Sequence, residues 1–200
     1  MKQAIHHLRT SDPVLSAIIE RVGAYGIQFR QPDFETLVKS IVFQQLSGRV
    51  ASVIFGRLSA AVKGALTPET ILKLRPSRMR SLGLSTQKTS YIRDLARQTL
   101  AGKLVFADLP ALPDDEVILR LTQVKGIGVW TAHMFLIFAL QRTDILPTGD
   151  LGIRNAIRQA YSLEALPSPE EMEQMAHRWR PYCSVASWYL WRSLEADANL

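Results

Sequence analysis

The sequence predicts an all-α protein, and three observations carry that reading. Apolar residues recur at helical spacing along nearly the whole chain. No stretch alternates apolar and polar residues long enough to make a half-buried strand. Residues that start or stop helices fall between the apolar runs.

Asp12-Pro13 is an N-cap followed by proline in the first turn, ahead of a stripe of Val14, Ile18, Ile19 and Val22. Asp33 caps a second helix that turns Phe34, Leu37, Val38, Ile41 and Val42 inward. Ser47 caps a third, running through Val50, Val53, Ile54 and Leu58 to a stop at Gly64. Thr67-Pro68-Glu69 opens a short helix that ends before Pro76. Further helices are expected over 86–100, stopped by Gly102, over 114–121 after Pro113, and over 129–140, which is apolar enough to be buried. Segments 150–161, 168–179 and 184–194 complete about ten helices joined by short polar links. No repeat, low-complexity tract or long linker interrupts them.

Composition narrows the function classes. With 200 residues the chain makes one compact domain or two small lobes. Apolar residues are 47% and charged residues 21%, which excludes a disordered segment. The single cysteine, Cys183, excludes an internal disulfide, a four-cysteine zinc site and a four-cysteine iron–sulfur cluster. Apolar runs such as 134–140 fall far short of the ~20 residues a membrane span needs, and the first residues lack the apolar core of a signal peptide. A cytoplasmic protein without a membrane partner is expected. Lys and Arg number 24 against 18 Asp and Glu, a net charge of +6. A positive field speeds encounter with polyanions, so nucleic acid is a candidate partner, and solubility alone is the other reading.

The chemistry is concentrated in 121–154, LTQVKGIGVWTAHMFLIFALQRTDILPTGDLGIR. Gly126 and Gly128 separate two helical patterns, with Lys125 beside them. Such a turn is either an ordinary helix–helix connection or a hairpin that presses backbone N–H groups onto a phosphate, helped by the next helix's dipole. Asp150 sits at a helix start, where an N-cap is the plain reading and a negative charge is favoured.

The whole run resembles the helix-hairpin-helix DNA glycosylase superfamily, and within it bacterial 3-methyladenine DNA glycosylase II. Supporting segments are FETLVKSI leading into Gln44-Gln45-Leu46-Ser47, then Leu82-Gly83-Leu84-Ser85 with Lys88, then the hairpin, then Arg178-Trp179-Arg180-Pro181-Tyr182. They fall in order over most of 34–192.

The resemblance implies two helical lobes, 1–33 with 145–200 and 34–144, the second holding a hairpin at about 115–140. It implies a DNA-binding cleft between them, duplex DNA with damaged bases as partner, and base flipping before excision. It also implies a monomer near the nucleoid, in a minimal form without an N-terminal β-rich lobe. Asp150 matches the catalytic aspartate. Trp130 and Tyr182 match pocket positions, with His133 and Met134 beside them, although a Trp in an apolar helix is ordinarily core. Gln45 takes the wedge position, flanked by Gln44 and Leu46, where better-known relatives carry leucine. Phosphate contacts fall to Gly126 and Gly128, then Lys125, Lys88 and Arg49. Trp179, Trp188 and Trp191 are assigned to packing.

Trp130 also stands where lyase-competent relatives carry a lysine, so hydrolysis without strand scission is expected. No cofactor is required. The carbonyls of Thr122, Val124 and Ile127 match a monovalent-cation site of the family. Two other readings stay open: a non-catalytic DNA-binding module with Asp150 only a cap, and a glycosylase for oxidised or deaminated bases.

Overall fold

The computed structural model describes residues 1–62 and 64–197, with side chains to 195. Among these residues there is no strand, and the elements are α-helices and two single 3-10 turns. No helix among them is long and apolar enough to cross a membrane. In chain order the helices are α1 (Lys2–Ser11), α2 (Pro13–Val22), α3 (Phe34–Phe43), α4 (Gly48–Ala61), α5 (Pro68–Lys73) and α6 (Pro76–Ser81). They continue as α7 (Thr86–Leu100), α8 (Asp114–Thr122), α9 (Val129–Phe138), α10 (Leu151–Ala160), α11 (Pro169–Ala176) and α12 (Cys183–Asp197).

Most starts follow the cap chemistry. Asp33 accepts from the Thr36 amide at 2.8 Å, and Thr67 and Ser168 form capping boxes with Thr70 and Glu171. Ser47 departs from expectation: it occupies the N-cap of α4 without a side-chain bond. Two helices lack a periodic signal. α1 buries only Ala4 and Leu8, and α6 only Met79. Helices this short hold their shape through packing, not through a stripe. The expected helix over 168–179 ends at Ala176 and tightens into a 3-10 turn over His177–Trp179. The helix from Val129 stops at Phe138, two residues early; Gln141 lies in the left-handed region at φ 56° and the Arg142 amide bonds the Leu136 carbonyl at 2.9 Å.

The chain divides into two compact units, Met1–Phe29 with Leu136–Leu200 and Arg30–Phe135. The first packs α2, α10 and α12 around Leu15, Ile18, Ile153, Ile157, Met172, Trp179, Ala186 and Tyr189. At its centre Asp12 is 1% exposed. One oxygen caps α2, accepting from Val14 at 2.9 Å and Leu15 at 3.2 Å. The other accepts from the Tyr161 hydroxyl at 2.6 Å and the Trp179 indole at 2.9 Å. Burial and the neighbouring Asp12 push the Tyr161 hydroxyl's pKa well above its ordinary value, so it remains a donor. The second unit packs α5 and α3 against α7, burying Leu37, Val38, Ile41, Ile71, Ile92 and Leu95.

Asp12→Ala strands two buried donors and a helix start. It should cost about 3 kcal/mol and lower the melting temperature by roughly 10 °C, read by thermal denaturation.

Candidate active site

Asp150 is placed by a turn and a helix. Its amide donates to the Pro147 carbonyl at 2.9 Å, closing the turn that delivers it to the start of α10. Its Oδ1 accepts from the Ile153 amide at 2.8 Å and from the Trp191 indole N–H, on α12, at 2.9 Å. The residue is 8% exposed. Two donors on one oxygen fix the orientation of the carboxylate. The dipole of α10 adds a favourable field for negative charge.

Two neighbours make the arrangement fit. A Cβ at Gly152 would meet Asp150 Oδ1 at 3.0 Å and Trp191 Cδ1 at 3.3 Å, so this position has almost no room for a side chain. Trp191 stacks on Phe138 with centroids 5.9 Å apart and planes at 24°. Trp191 is therefore more than packing, to which the sequence assigns it. Its signal was only a tryptophan near the chain's end, 41 residues from the aspartate it holds. Trp179 and Trp188 do pack; Trp179 is buried, and Trp188 lies 4.7 Å from Tyr25. In the same unit Tyr182 is half-buried, edge-on to His7 at 5.4 Å and 63°.

The remaining candidates lie in the second unit. α8, a tight turn and α9 form a helix-hairpin-helix. Gly126 adopts φ 80°, and a Cβ there would stand 2.0 Å from the Tyr91 ring, so only glycine fits. Gly128 meets nothing within 4 Å. Lys125 is exposed, and its amide is held by Asp94 Oδ2 at 3.0 Å. The first amides of α9 have no intrahelical acceptor, which is the usual provision for an anion. Trp130 in that turn is 47% exposed, so burial does not account for it. His133 and Met134, further along α9, are half-buried.

The loop between α3 and α4 carries Gln44, Gln45 and Leu46. Gln45 and Leu46 are exposed, and Gln45 is left-handed at φ 54°. Gln44 is instead tied inward, its Nε2 donating to the Gly126 carbonyl at 2.9 Å. Lys88 is also engaged within the unit, donating to the carbonyls of Val42 at 2.8 Å and Gln44 at 2.6 Å. Partial burial lowers its pKa. Both side chains bind the chain itself, whereas the sequence points them at DNA. Arg49 is exposed in the first turn of α4.

Residues 38–181 match the model of the HhH-GPD superfamily of base excision DNA repair proteins. The chain belongs to this superfamily. A putative DNA-3-methyladenine glycosylase of Bacillus subtilis, YfjP, is 34% identical over 197 residues, 95% of this chain and 68% of the relative. The crystal structure of a DNA-3-methyladenine glycosidase from Bacillus halodurans superposes with TM-score 0.88 at 35% identity, covering 98% of this chain and 91% of that one. A Schizosaccharomyces pombe 3-methyladenine DNA glycosylase in complex with abasic DNA gives TM-score 0.83 at 33% identity, covering 94% and 95%. The family resemblance and the all-helical fold read from the sequence therefore hold, and the chain is an enzyme of the DNA-3-methyladenine glycosylase kind.

Trp191→Phe keeps the ring on Phe138 and removes the N–H donor. Single-turnover base release should fall about tenfold, the effect of one hydrogen bond to a charged group. Release at the parental rate would return Trp191 to packing. Gly126→Ala should unfold or distort the hairpin, lowering stability by about 2 kcal/mol or more in denaturant titration.

Proposed function

We infer that this superfamily member is a monofunctional glycosylase that flips alkylated bases of the 3-methyladenine and 7-methylguanine type out of duplex DNA and hydrolyses them away. The observation that carries the reading is the Asp150 carboxylate, held at the start of α10 by an amide and an indole. Breaking the N-glycosidic bond leaves positive charge on the sugar as the bond electrons depart with the base. A fixed carboxylate stabilises that charge. It also orients the water that adds to C1′ and then loses its proton. A purine methylated at N3 or N7 carries a positive charge before cleavage and leaves neutral, so no strong general acid is needed.

Each remaining residue has a part in this reading. Extruding a base costs a few kcal/mol. Gln45 and Leu46, exposed on their loop, suit the gap it leaves, and the Gln45 amide can hydrogen-bond the orphaned partner base. The Trp130 ring, with His133 and Met134 further along α9, suits a cationic base in the second unit, and Tyr182 offers a ring face in the first. Trp130 has no amine to attack the sugar, so the product is an abasic site in an intact strand. Phosphates fall to the amides at Gly126 and Gly128, with Lys125 and Arg49.

No cofactor enters the reaction. The carbonyls of Thr122, Val124 and Ile127 belong to the end of α8 and the turn after it, where the negative end of the helix dipole favours a cation, and in this reading they hold a monovalent one. The Val124 carbonyl also accepts the Ile127 amide at 3.1 Å, which leaves it a second lone pair. Such an ion would join hairpin and phosphate by charge. The protein acts as a monomer on duplex DNA in the cytoplasm, at the nucleoid.

Asp150→Asn should abolish release of 7-methylguanine from a duplex while duplex binding stays within about twofold, since Asn caps a helix as well as Asp. Binding without release by the unmodified protein would favour a DNA-binding module instead. Release of only hypoxanthine or oxidised bases would reassign the lesion. Strand scission without heat or base would indicate a lyase. With about four to six phosphate contacts, log affinity should fall against log salt with a slope of roughly −4 to −5 in a titration.

A further inference from the structure

Lys88 is in the first turn of α7, where the Ser85 hydroxyl accepts its amide at 3.1 Å. A cation there opposes the dipole of its own helix. Partial burial adds a second cost. Its position is explained by what it reaches. The carbonyls of Val42 and Gln44 end α3 and have no intrahelical partner. The ammonium donates to both, at 2.8 and 2.6 Å, from 46 and 44 residues away. Charge-assisted bonds of that length are the strong kind. One residue further on, Gln45 holds a left-handed backbone at φ 54°, which a non-glycine residue keeps only when its surroundings impose it. From the other side, Gln44 bonds the hairpin carbonyl of Gly126 at 2.9 Å. Two segments distant in sequence, the start of α7 and the hairpin, thus converge on one loop.

We propose that Lys88 is a positioning residue for base flipping: its ammonium clamps the end of α3 and, with the Gln44–Gly126 bond, presets Gln45 and Leu46 for insertion into the duplex. The inference rests on the reading of that loop as the wedge. It also changes the role of Lys88, because an ammonium holding two carbonyls is a poor phosphate anchor. The clamp couples wedge to hairpin, so the element that grips the backbone also fixes the element that fills the gap.

The test uses the full chain and a duplex with 2-aminopurine beside a tetrahydrofuran abasic analogue, which reports unstacking without any chemistry. Lys88→Met should lose most of the fluorescence rise at saturating protein and slow single-turnover 7-methylguanine release about tenfold. Binding to undamaged duplex should stay within about twofold with an unchanged salt slope. Lys88→Arg, which can still donate to both carbonyls, should restore at least half of each signal. A salt slope shallower by about one in Lys88→Met, with uniformly weaker binding, would make Lys88 a phosphate contact and overturn the proposal. Fluorescence and release at parental levels would overturn it too. If Lys88→Met fails to fold by circular dichroism, Gln44→Met breaks the other half of the clamp and is read the same way. Fluorescence without base release by the parental protein would sink the glycosylase reading and leave the clamp standing. No fluorescence rise in the parental protein would sink the wedge and the clamp together.

Discussion

A carboxylate placed away from water must be met by donors from the chain itself, and the first unit is organised around that requirement. Asp150 receives an amide from the helix it starts and an indole N–H from α12. Three conditions have to hold for this. The turn at Pro147 must deliver the residue to the helix start, Gly152 must lack a side chain, and Trp191 must lie flat against Phe138. The first two lie beside the residue and on its own helix, and the third joins α9 to α12, so the carboxylate's position is a property of the unit as well as of its helix. Asp12 repeats the device with a different purpose. It too caps a helix and accepts an indole N–H, and at 1% exposure it is also held by the Tyr161 hydroxyl. The same chemistry yields a structural knot in one place and a candidate catalytic group in the other.

The second unit follows a similar rule with backbone groups. Helix ends leave carbonyls and amides without partners. At the end of α3 the carbonyls are met by Lys88. At the hairpin the Gly126 carbonyl is met by Gln44, and Asp94 takes the Lys125 amide. What the chain satisfies internally is thereby separated from what stays available to a partner. The side chains left exposed, Gln45, Leu46, Arg49, Lys125 and Trp130, form the shorter list of candidates for contact with DNA.

Much of the fold was legible because its signals are local. Caps at Asp12, Asp33 and Thr67 act within three residues, and the stripes of α2 and α3 repeat within a few turns. α1 and α6 were not legible, since one or two buried residues make no period. Ser47 reads as a cap by residue type, yet its hydroxyl makes no capping bond. Residue type states what a group can do, and backbone geometry decides whether it does so.

For the candidate site the division is sharper. The all-helical class, the hairpin glycines and the superfamily were readable from the chain, because each depends on spacing along a few consecutive turns. It also supplied Asp150 through its surrounding motif. Helix packing set the rest: Trp191 holds that carboxylate, Trp130 is exposed, and Lys88 and Gln44 turn inward to carbonyls. The contacts among them span 41 to 82 residues. A side chain's partner at that range is set by how helices pack, and the periodicity of any one helix carries no record of it.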